Sequence, residues 1–255
     1  MVKGGGVVDH LSSGIARLLE RARRAAALHL LGEIMDISEA IRKRKSIRAY
    51  QDKEVEREII TRILDTARFA PSGANSQPWQ VAVVSGETKE QIAGALVAAF
   101  RSGKGEDCDY DYYPQKWQDP FKKRRIACGA QLYETLGIER KDREARLRQW
   151  EANYRGFGAP AMLFFFLDPS LAIGSYMDSG MFIQSVMLAA MDEGLATCPQ
   201  AALSGYASIV KDILGYPGDT ILLCGMALGY EEKEALVNSY RTPREDVETF
   251  TTFFD

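Results

Sequence analysis

The hydrophobic positions along the chain change between helix-like and strand-like patterns, which predicts a mixed fold. Local patterns predict helices over residues 36–44, 55–67, 88–100, 178–193 and 207–214. Continuous apolar runs predict buried strands at 80–84, 161–167 and 220–228. Because the strands are few and the helices long, we expect an α+β fold with helices around a small central sheet.

Residues 102–157 differ from their neighbours because they combine many charges and aromatic rings with little aliphatic periodicity. Helices are predicted within this segment over 122–136 and 142–154. An aromatic insertion of this length between predicted elements is typical of a lid over a binding site. We therefore name residues 102–157 the lid segment.

The two ends of the chain carry separate predictions. Residues 1–35 form a predicted N-terminal helical extension with interspersed arginines, and residues 36–255 form the main domain. The extension fits a helix that packs on its own domain or a partner subunit, and a membrane-surface helix or transit peptide stays an alternative. The Thr- and Phe-rich tail, residues 247–255, is too apolar to remain in solvent, so we expect it to pack on a partner subunit.

Composition narrows the chemistry. A formal net charge of −3 over 255 residues argues against nucleic acid or an anionic membrane as a partner. Four irregularly spaced cysteines argue against a disulfide framework and a thiolate metal site, and a reducing cytoplasm fits them best. The only histidines are His10 and His29, so a Ser-His-Asp hydrolase or a histidine-ligated zinc enzyme is disfavoured. An enzyme with this composition would take its chemistry from a cofactor.

A basic cluster follows the first predicted helix of the main domain. Arg44, Lys45, Ser46 and Arg48 place guanidinium, ammonium and hydroxyl donors within a few residues. A phosphate monoester suits this set because arginine binds its oxygens in pairs and a hydroxyl adds a neutral hydrogen bond. The alternative is a solvated basic face at the end of a helix, where cations favour the helix dipole.

Two turn-rich segments add polar groups. Residues 71–79 contain Pro71, Ser72, Gly73 and Asn75, which could line a planar polar ligand, although a plain connection between helix and strand is the alternative. Residues 197–200, including Pro199 and Gln200, follow the predicted buried helix and Gly194. By itself this second segment predicts only a turn.

Taken together and in this order, the motifs resemble those of the nitroreductase family. Arg44-Lys45-Ser46-Ile47-Arg48 is similar to the family's R-x-S-x-R motif, and Ala70–Trp79 is similar to its APSGxNxQPW loop. Gly194–Gln200 is similar to its GLxTCPQ segment, and Arg241 stands where the family has a C-terminal arginine. The resemblance covers about residues 36–250, and the lid segment is similar to the subgroup that handles nitrobenzoate-like arenes.

The resemblance implies a nitroreductase-like α+β fold with a small, mostly antiparallel central sheet, in a homodimer whose domains wrap around each other. It also implies FMN bound at the dimer interface. The implied phosphate and ribityl ligands are Arg44, Lys45, Ser46, Arg48 and Arg241. Pro71, Ser72, Gly73 and Asn75 would reach the same flavin from the other subunit, and Pro199 and Gln200 would approach the isoalloxazine edge.

The implied reaction is a ping-pong transfer of two electrons. NADH or NADPH reduces the flavin and leaves, and an electron-poor acceptor such as a nitroarene then enters the same slot. No side chain need act as acid or base, which agrees with a main domain that lacks histidine. Ala74, Trp117 and Tyr133 are predicted substrate walls, with plain hydrophobic packing as the alternative.

Other functions stay open at this point. A reductive dehalogenase or an FMN-dependent oxidase on the same fold would differ in product, and a flavin-binding protein without turnover would differ in class. Binding of DNA or anionic vesicles through residues 42–48 and the N-terminal arginines is the third alternative. The acidic total charge and the lack of interleaved aromatic residues argue against it.

Overall fold

A four-stranded sheet forms the centre of the computed structural model, which describes residues 36–254. The strands are β1 (Gln80–Ser85), β2 (Ala161–Leu167), β3 (Ala196–Gln200) and β4 (Ile221–Gly229). They lie in the order β1-β2-β4-β3, and every neighbouring pair is antiparallel. The predicted α+β class and antiparallel sheet are confirmed, whereas the predicted helix within residues 1–35 lies outside the described residues.

Strand β2 explains the layered architecture. All seven of its residues are buried, and alternate side chains point to opposite faces of the sheet. Leu163 and Phe165 enter one hydrophobic cluster, whereas Phe164 and Phe166 enter the other. A strand covered on both faces requires an uninterrupted apolar sequence, and Ala-Met-Leu-Phe-Phe-Phe-Leu provides it.

Seven α-helices lie within residues 36–254. They are α1 (Ile37–Lys43), α2 (Arg57–Ala67), α3 (Gly86–Ser102), α4 (Phe121–Thr135), α5 (Arg143–Glu151), α6 (Gly174–Asp192) and α7 (Ala207–Leu214). Helices α2 and α6 contribute to the cluster on one face of the sheet, and α3 and α7 contribute to the cluster on the other. None of the helices is long and apolar enough to cross a membrane within the described range.

Helix α1 belongs to a separate unit, because the chain divides after Lys43. It buries no residue, and an ion pair of 2.5 Å joins Glu39 to Lys43 on its surface. The second unit begins at Arg44 and contains the sheet and the other six helices described here.

Strand β3 corrects one prediction. Residues 197–200 were expected to form only a turn, but they form an edge strand beside β4. Residues two apart in a strand direct their backbone N–H and C=O groups to the same side, so those of Thr197 and Pro199 both face away from β4. Proline lacks an N–H, and on this side the lack costs no hydrogen bond of the sheet. On that side the Thr197 carbonyl accepts the N–H of Ile47 at 3.0 Å. Strand β3 therefore brings the basic cluster to the edge of the sheet.

Candidate functional site

Three arginines converge at one edge of the molecule. Burial lowers the pKa of the half-buried Arg44 guanidinium, and the positive charges of Arg244 and Arg241 lower it further. Within residues 36–254 the only hydrogen bond from the Arg44 side chain goes to the weak acceptor Met187 Sδ, at 3.9 Å. Cations that repel one another in this way are stabilised by an anion. The sequence pointed to Arg44 and Arg241, whereas Arg244 was missed because it belongs to no motif.

The basic segment is fixed against strand β3 by its buried middle residue. Ile47 is buried, and its N–H is the one that bonds the Thr197 carbonyl. Burial raises the pKa of the neighbouring Cys198 thiol, and Arg48, Ser46 and Arg44 act on it in the opposite direction. The thiol therefore lies close to three of the five predicted phosphate and ribityl ligands, so the structure brings Arg44, Ser46 and Arg48 together.

Asn238 holds this segment in place, and sequence reasoning missed it. The buried side chain accepts the Arg48 N–H at 2.8 Å and donates to the carbonyls of Ala49 and Glu232 at 2.9 Å each. Its backbone carbonyl accepts the Lys45 ammonium at 2.6 Å. Asn238 stands three residues before Arg241, and this closeness to a predicted ligand is the signal that could have marked it.

Lys45 and Arg48 face different surroundings. The Lys45 ammonium pairs with Glu231 at 3.0 Å, so its charge is already balanced. The Arg48 guanidinium bonds the Ser46 carbonyl and the Tyr240 hydroxyl, each at 3.4 Å, and it lines the large cavity described below. The geometry therefore leaves Arg48 available to a ligand and commits the Lys45 side chain to a structural ion pair.

The loop at residues 71–77 is largely exposed and conformationally strained. Ala74, Asn75 and Gln77 have positive φ angles of 50°, 55° and 47°, which non-glycine residues rarely adopt. Each such residue costs about 1–3 kcal/mol, so strained positions of this kind cluster at ligand sites. Ser72 accepts the Gln77 N–H at 3.0 Å and thereby closes the loop on itself.

Helix α6 supports the same loop from beneath. The buried Asp178 carboxylate accepts the N–H of Gly73 at 3.2 Å. At the end of the loop the Trp79 ring stacks on Phe182 with centroids 4.6 Å apart. These contacts present Ser72, Gly73 and Asn75 on the surface of the subunit, and the predicted substrate residue Ala74 lies among them.

Gln200 is an incompletely satisfied polar group at the end of β3. The residue is 4% exposed, and its amide nitrogen donates to the Asn153 carbonyl at 2.8 Å. Its amide oxygen has no partner within the part of the chain that the structure describes. Buried acceptors are normally paired, so this oxygen marks a place where a ligand N–H fits.

A cavity of about 1040 Å³ lies between the lid segment and the sheet edge. Its wall contains Arg48 and residues 198–202 on one side and residues of α4 and α5 on the other. The volume is at the upper end of the range of small-molecule sites, about 300–1,000 Å³. Because Cys198 both lines the cavity and lies close to Arg44, the cavity adjoins the arginine cluster.

The predicted aromatic walls occupy two layers. Tyr133 of α4 lines the cavity directly. Trp117 packs behind the wall, 5.6 Å between centroids from the Tyr113 ring, which does face the cavity. The role of Ala74, Trp117 and Tyr133 in substrate binding stays a prediction.

The lid segment is firmly anchored at its start. Lys211 of α7 is 4% exposed and pairs with Asp109 at 2.6 Å, and the other oxygen of Asp109 accepts the Leu222 N–H at 2.8 Å. The Tyr110 hydroxyl donates to the Leu223 carbonyl at 2.7 Å. The segment therefore leaves the core from a fixed point beside β4.

The chain matches known proteins along most of its length. The model of the nitroreductase family matches residues 41–230. A 4-nitrobenzoate reductase of Pseudomonas putida is 34% identical over 218 residues, which cover 86% of this chain and 95% of that protein. A nitrobenzene nitroreductase of Ectopseudomonas oleovorans is 36% identical, and the match covers 85% of this chain and 96% of that protein.

A solved structure matches as well. The FMN- and NADPH-dependent nitroreductase NfnB from Sphigopyxis sp. strain HMH superposes with a TM-score of 0.84 at 40% identity. The match covers 86% of this chain and 99% of that one. The residues matched by the family model include the whole sheet, the lid segment and Arg44.

Proposed function

The chain belongs to the nitroreductase family, and from this premise we propose that it is an FMN-dependent oxidoreductase. It moves two electrons from NADH or NADPH to an electron-poor acceptor such as a nitroarene. The observation that carries the proposal is the convergence of Arg44, Arg241 and Arg244 beside a cavity of about 1040 Å³. Relatives of known name reduce nitroarenes, and the structural relative uses FMN and NADPH.

The residues present fit FMN at both of its ends. A phosphate needs several charged donors, and the arginine cluster offers three guanidiniums without a carboxylate among the neighbours that set the pKa of Arg44. A flavin ring offers an N–H donor, and Gln200 offers an unpaired buried acceptor on the cavity wall. Ser46 and Arg48 both neighbour Cys198, which stands two residues before Gln200 in β3.

When bound, FMN supplies the two-electron chemistry, so no residue of this chain need act as acid or base. The protein's part is to bind, orient and exclude water. Arg44 and Arg241 would hold the FMN phosphate, while Arg48 lines the cavity from the sheet edge and the lid helices line the opposite side. One cavity serves the donor and the acceptor in turn, which is the ping-pong order that the resemblance implies.

A homodimer completes this proposal. Ser72, Gly73 and Asn75 lie on an exposed, strained loop, where the partner's flavin would meet them. In the tail, Phe250, Phe253 and Phe254 are 71%, 80% and 91% exposed, and such apolar surface favours contact with another protein surface. We also propose a cytoplasmic location, because the four cysteines are irregularly spaced and fit a reducing compartment best.

The decisive experiment is an absorption spectrum of the purified protein, followed by anaerobic NADPH and then 4-nitrobenzoate. We expect a flavin spectrum that bleaches with NADPH and recovers with the nitroarene. A colourless protein that takes up no added FMN would refute the proposal. Flavin that binds but never bleaches would instead support a binding protein without turnover.

The phosphate ligands are tested by replacing single arginines. Arg44→Ala and Arg241→Ala should each weaken FMN binding by about 1.5–3 kcal/mol, because each removes a charged hydrogen-bond donor. Fluorescence titration of FMN onto apoprotein measures the change. Arg62→Ala, which removes an exposed ion pair with Glu193, is the control and should leave the affinity unchanged.

The tail is tested by deleting residues 247–255. We expect the dissociation constant of the dimer to rise, because three exposed phenylalanines are removed from the interface. The truncated chain should then be monomeric at protein concentrations where the full-length chain is still a dimer. Sedimentation velocity over a concentration series measures this, with Thr251→Ala as the control. A truncated protein that still sediments as a tight dimer would contradict the assignment of the tail to the interface.

A further inference from the structure

Two arginines of the lid helices face the cavity from the side opposite the sheet. Arg125 of α4 and Arg146 of α5 both line it. The guanidinium carbon of Arg125 lies 5.3 Å from the Trp117 ring centroid, and that of Arg146 lies 5.0 Å from the Tyr133 centroid. Each charge is therefore held over an aromatic face rather than left to move in solvent.

Neither guanidinium has a carboxylate partner within residues 36–254. Arg146 donates to the Arg140 carbonyl at 3.3 Å, and Arg125 makes no ion pair there. The arginines that neighbour them on the outer faces of the same helices behave differently. Arg124 pairs with Glu245 at 2.8 Å, and Arg148 pairs with Glu144 at 3.6 Å. Both guanidiniums of these helices that face the cavity are therefore without an ion pair in the described part of the chain.

Stacking leaves the binding edge of arginine free. When a ring covers one face of a planar guanidinium, the N–H donors in the plane stay free, although one N–H of Arg146 is used on the Arg140 carbonyl. That fork matches the paired oxygens of a carboxylate or a phosphate. Because the stacked group is already ordered, it loses less conformational entropy when an anion binds.

The charge of the cavity wall favours the same kind of ligand. Its cations are Arg48, Arg125, Arg140 and Arg146, and its acids are Glu106 and Glu134. Positive charge therefore exceeds negative charge on an otherwise largely apolar wall. A wall with this balance of charge attracts an anion.

We infer that Arg125 and Arg146 form an anion subsite that selects small molecules carrying a carboxylate or phosphate. This inference rests on the proposed function and adds the charge of the molecule that enters the cavity. Two sources could supply the anion, the carboxylate of an aromatic acceptor or the 2′-phosphate of NADPH. The named relatives reduce both a charged and a neutral nitroarene, so family membership does not decide this point.

The test is equilibrium binding by titration calorimetry to the full-length protein as purified, which requires no turnover. Two matched pairs of probes separate the sources: 4-nitrobenzoate against 4-nitrobenzamide, and NADP⁺ against NAD⁺. The variants are Arg125→Gln and Arg146→Gln. Lys123→Gln on α4 and Arg143→Gln on α5 are controls, because both residues are exposed and outside the cavity wall.

In one of the two pairs, we expect each variant to bind the more anionic probe about tenfold more weakly than the unaltered protein does. The affinity for the neutral or less charged probe of that pair should change by less than about twofold. A loss confined to 4-nitrobenzoate assigns the subsite to the acceptor. A loss confined to NADP⁺ assigns it to the donor phosphate. Arg125→Lys should recover part of the loss, because it restores the charge without the planar fork.

The inference is overturned if both members of each pair weaken equally, or if neither variant differs from the controls. These outcomes are independent of the proposed function. A protein that binds the anion selectively but never oxidises NADPH would refute the enzymatic proposal and keep the subsite. If both variants turn over normally and bind the anions as tightly as the unaltered protein, the subsite is refuted and the enzymatic proposal is kept.

Discussion

The central sheet and the two lid helices, α4 and α5, are built on opposite principles. Strand β2 buries all seven of its residues between two helical layers. Helices α4 and α5 of the lid segment bury none of theirs. Their larger apolar residues, such as Ile126 and Trp150, line the cavity instead of a core.

The difference teaches where stability and selectivity reside. Burial of apolar area stabilises the sheet, whereas the lid helices are held mainly by polar contacts. Examples are the Arg124–Glu245 pair at 2.8 Å and the bond from Gln131 to the Arg241 carbonyl at 3.2 Å. Exposed ion pairs contribute little, so we expect the lid to open at a lower free energy than the whole domain unfolds.

A matched pair of leucine variants should give the largest contrast. Leu163 of β2 is 0% exposed, and Leu147 of α5 is 42% exposed. We expect Leu163→Ala to lower the free energy of unfolding by about 4 kcal/mol through lost burial and a cavity. Leu147→Ala should lower it by less than about 1 kcal/mol. Chemical denaturation of both variants measures the difference, and equal losses would break the comparison.

The junction between the two regions should give the next largest effect. Lys211→Met removes one partner of the ion pair with Asp109 and leaves the carboxylate facing a buried apolar group. We expect the free energy of unfolding to fall by about 3 kcal/mol. This is the lower end of the loss seen when one partner of a buried ion pair is removed, because 18% of the Asp109 side chain is exposed. Thermal unfolding measures it. The double variant with Asp109→Leu should lose less than the sum of the single variants.

The sheet was predictable because its signal is local. Seven consecutive apolar residues determine β2, and three- and four-residue spacing determines α2. Strand β3 was missed because it has five residues and contains a proline, which is normally evidence against a strand.

The site was predictable only in part. Arg44, Ser46 and Arg48 stand close together in the sequence, and their convergence follows from one extended segment. Asn238 lies 190 residues from Arg48, and no periodicity connects the two. The same is true of the lid anchor, where Lys211 and Asp109 are 102 residues apart. Contacts of this kind come from the tertiary arrangement and not from a local pattern.

The smallest effect should come from the tie between the lid and the C-terminal segment. Arg124→Ala removes the exposed pair with Glu245, so the global stability should change by less than about 1 kcal/mol. Amide hydrogen exchange in residues 121–135 should nevertheless become faster, because local opening is easier. Lys123→Ala, on the same turn, is the control. Unchanged exchange in the Arg124 variant would show that the pair does not hold the lid.

The unburied lid helices have a consequence for how this scaffold can change over time. Selection for a folded protein acts weakly on positions that contribute no core, so their side chains can drift without loss of the fold. Those same positions form the wall that meets an incoming molecule. A change in preferred substrate can therefore accumulate in α4 and α5 one residue at a time, and a laboratory library restricted to these helices should contain mostly folded proteins.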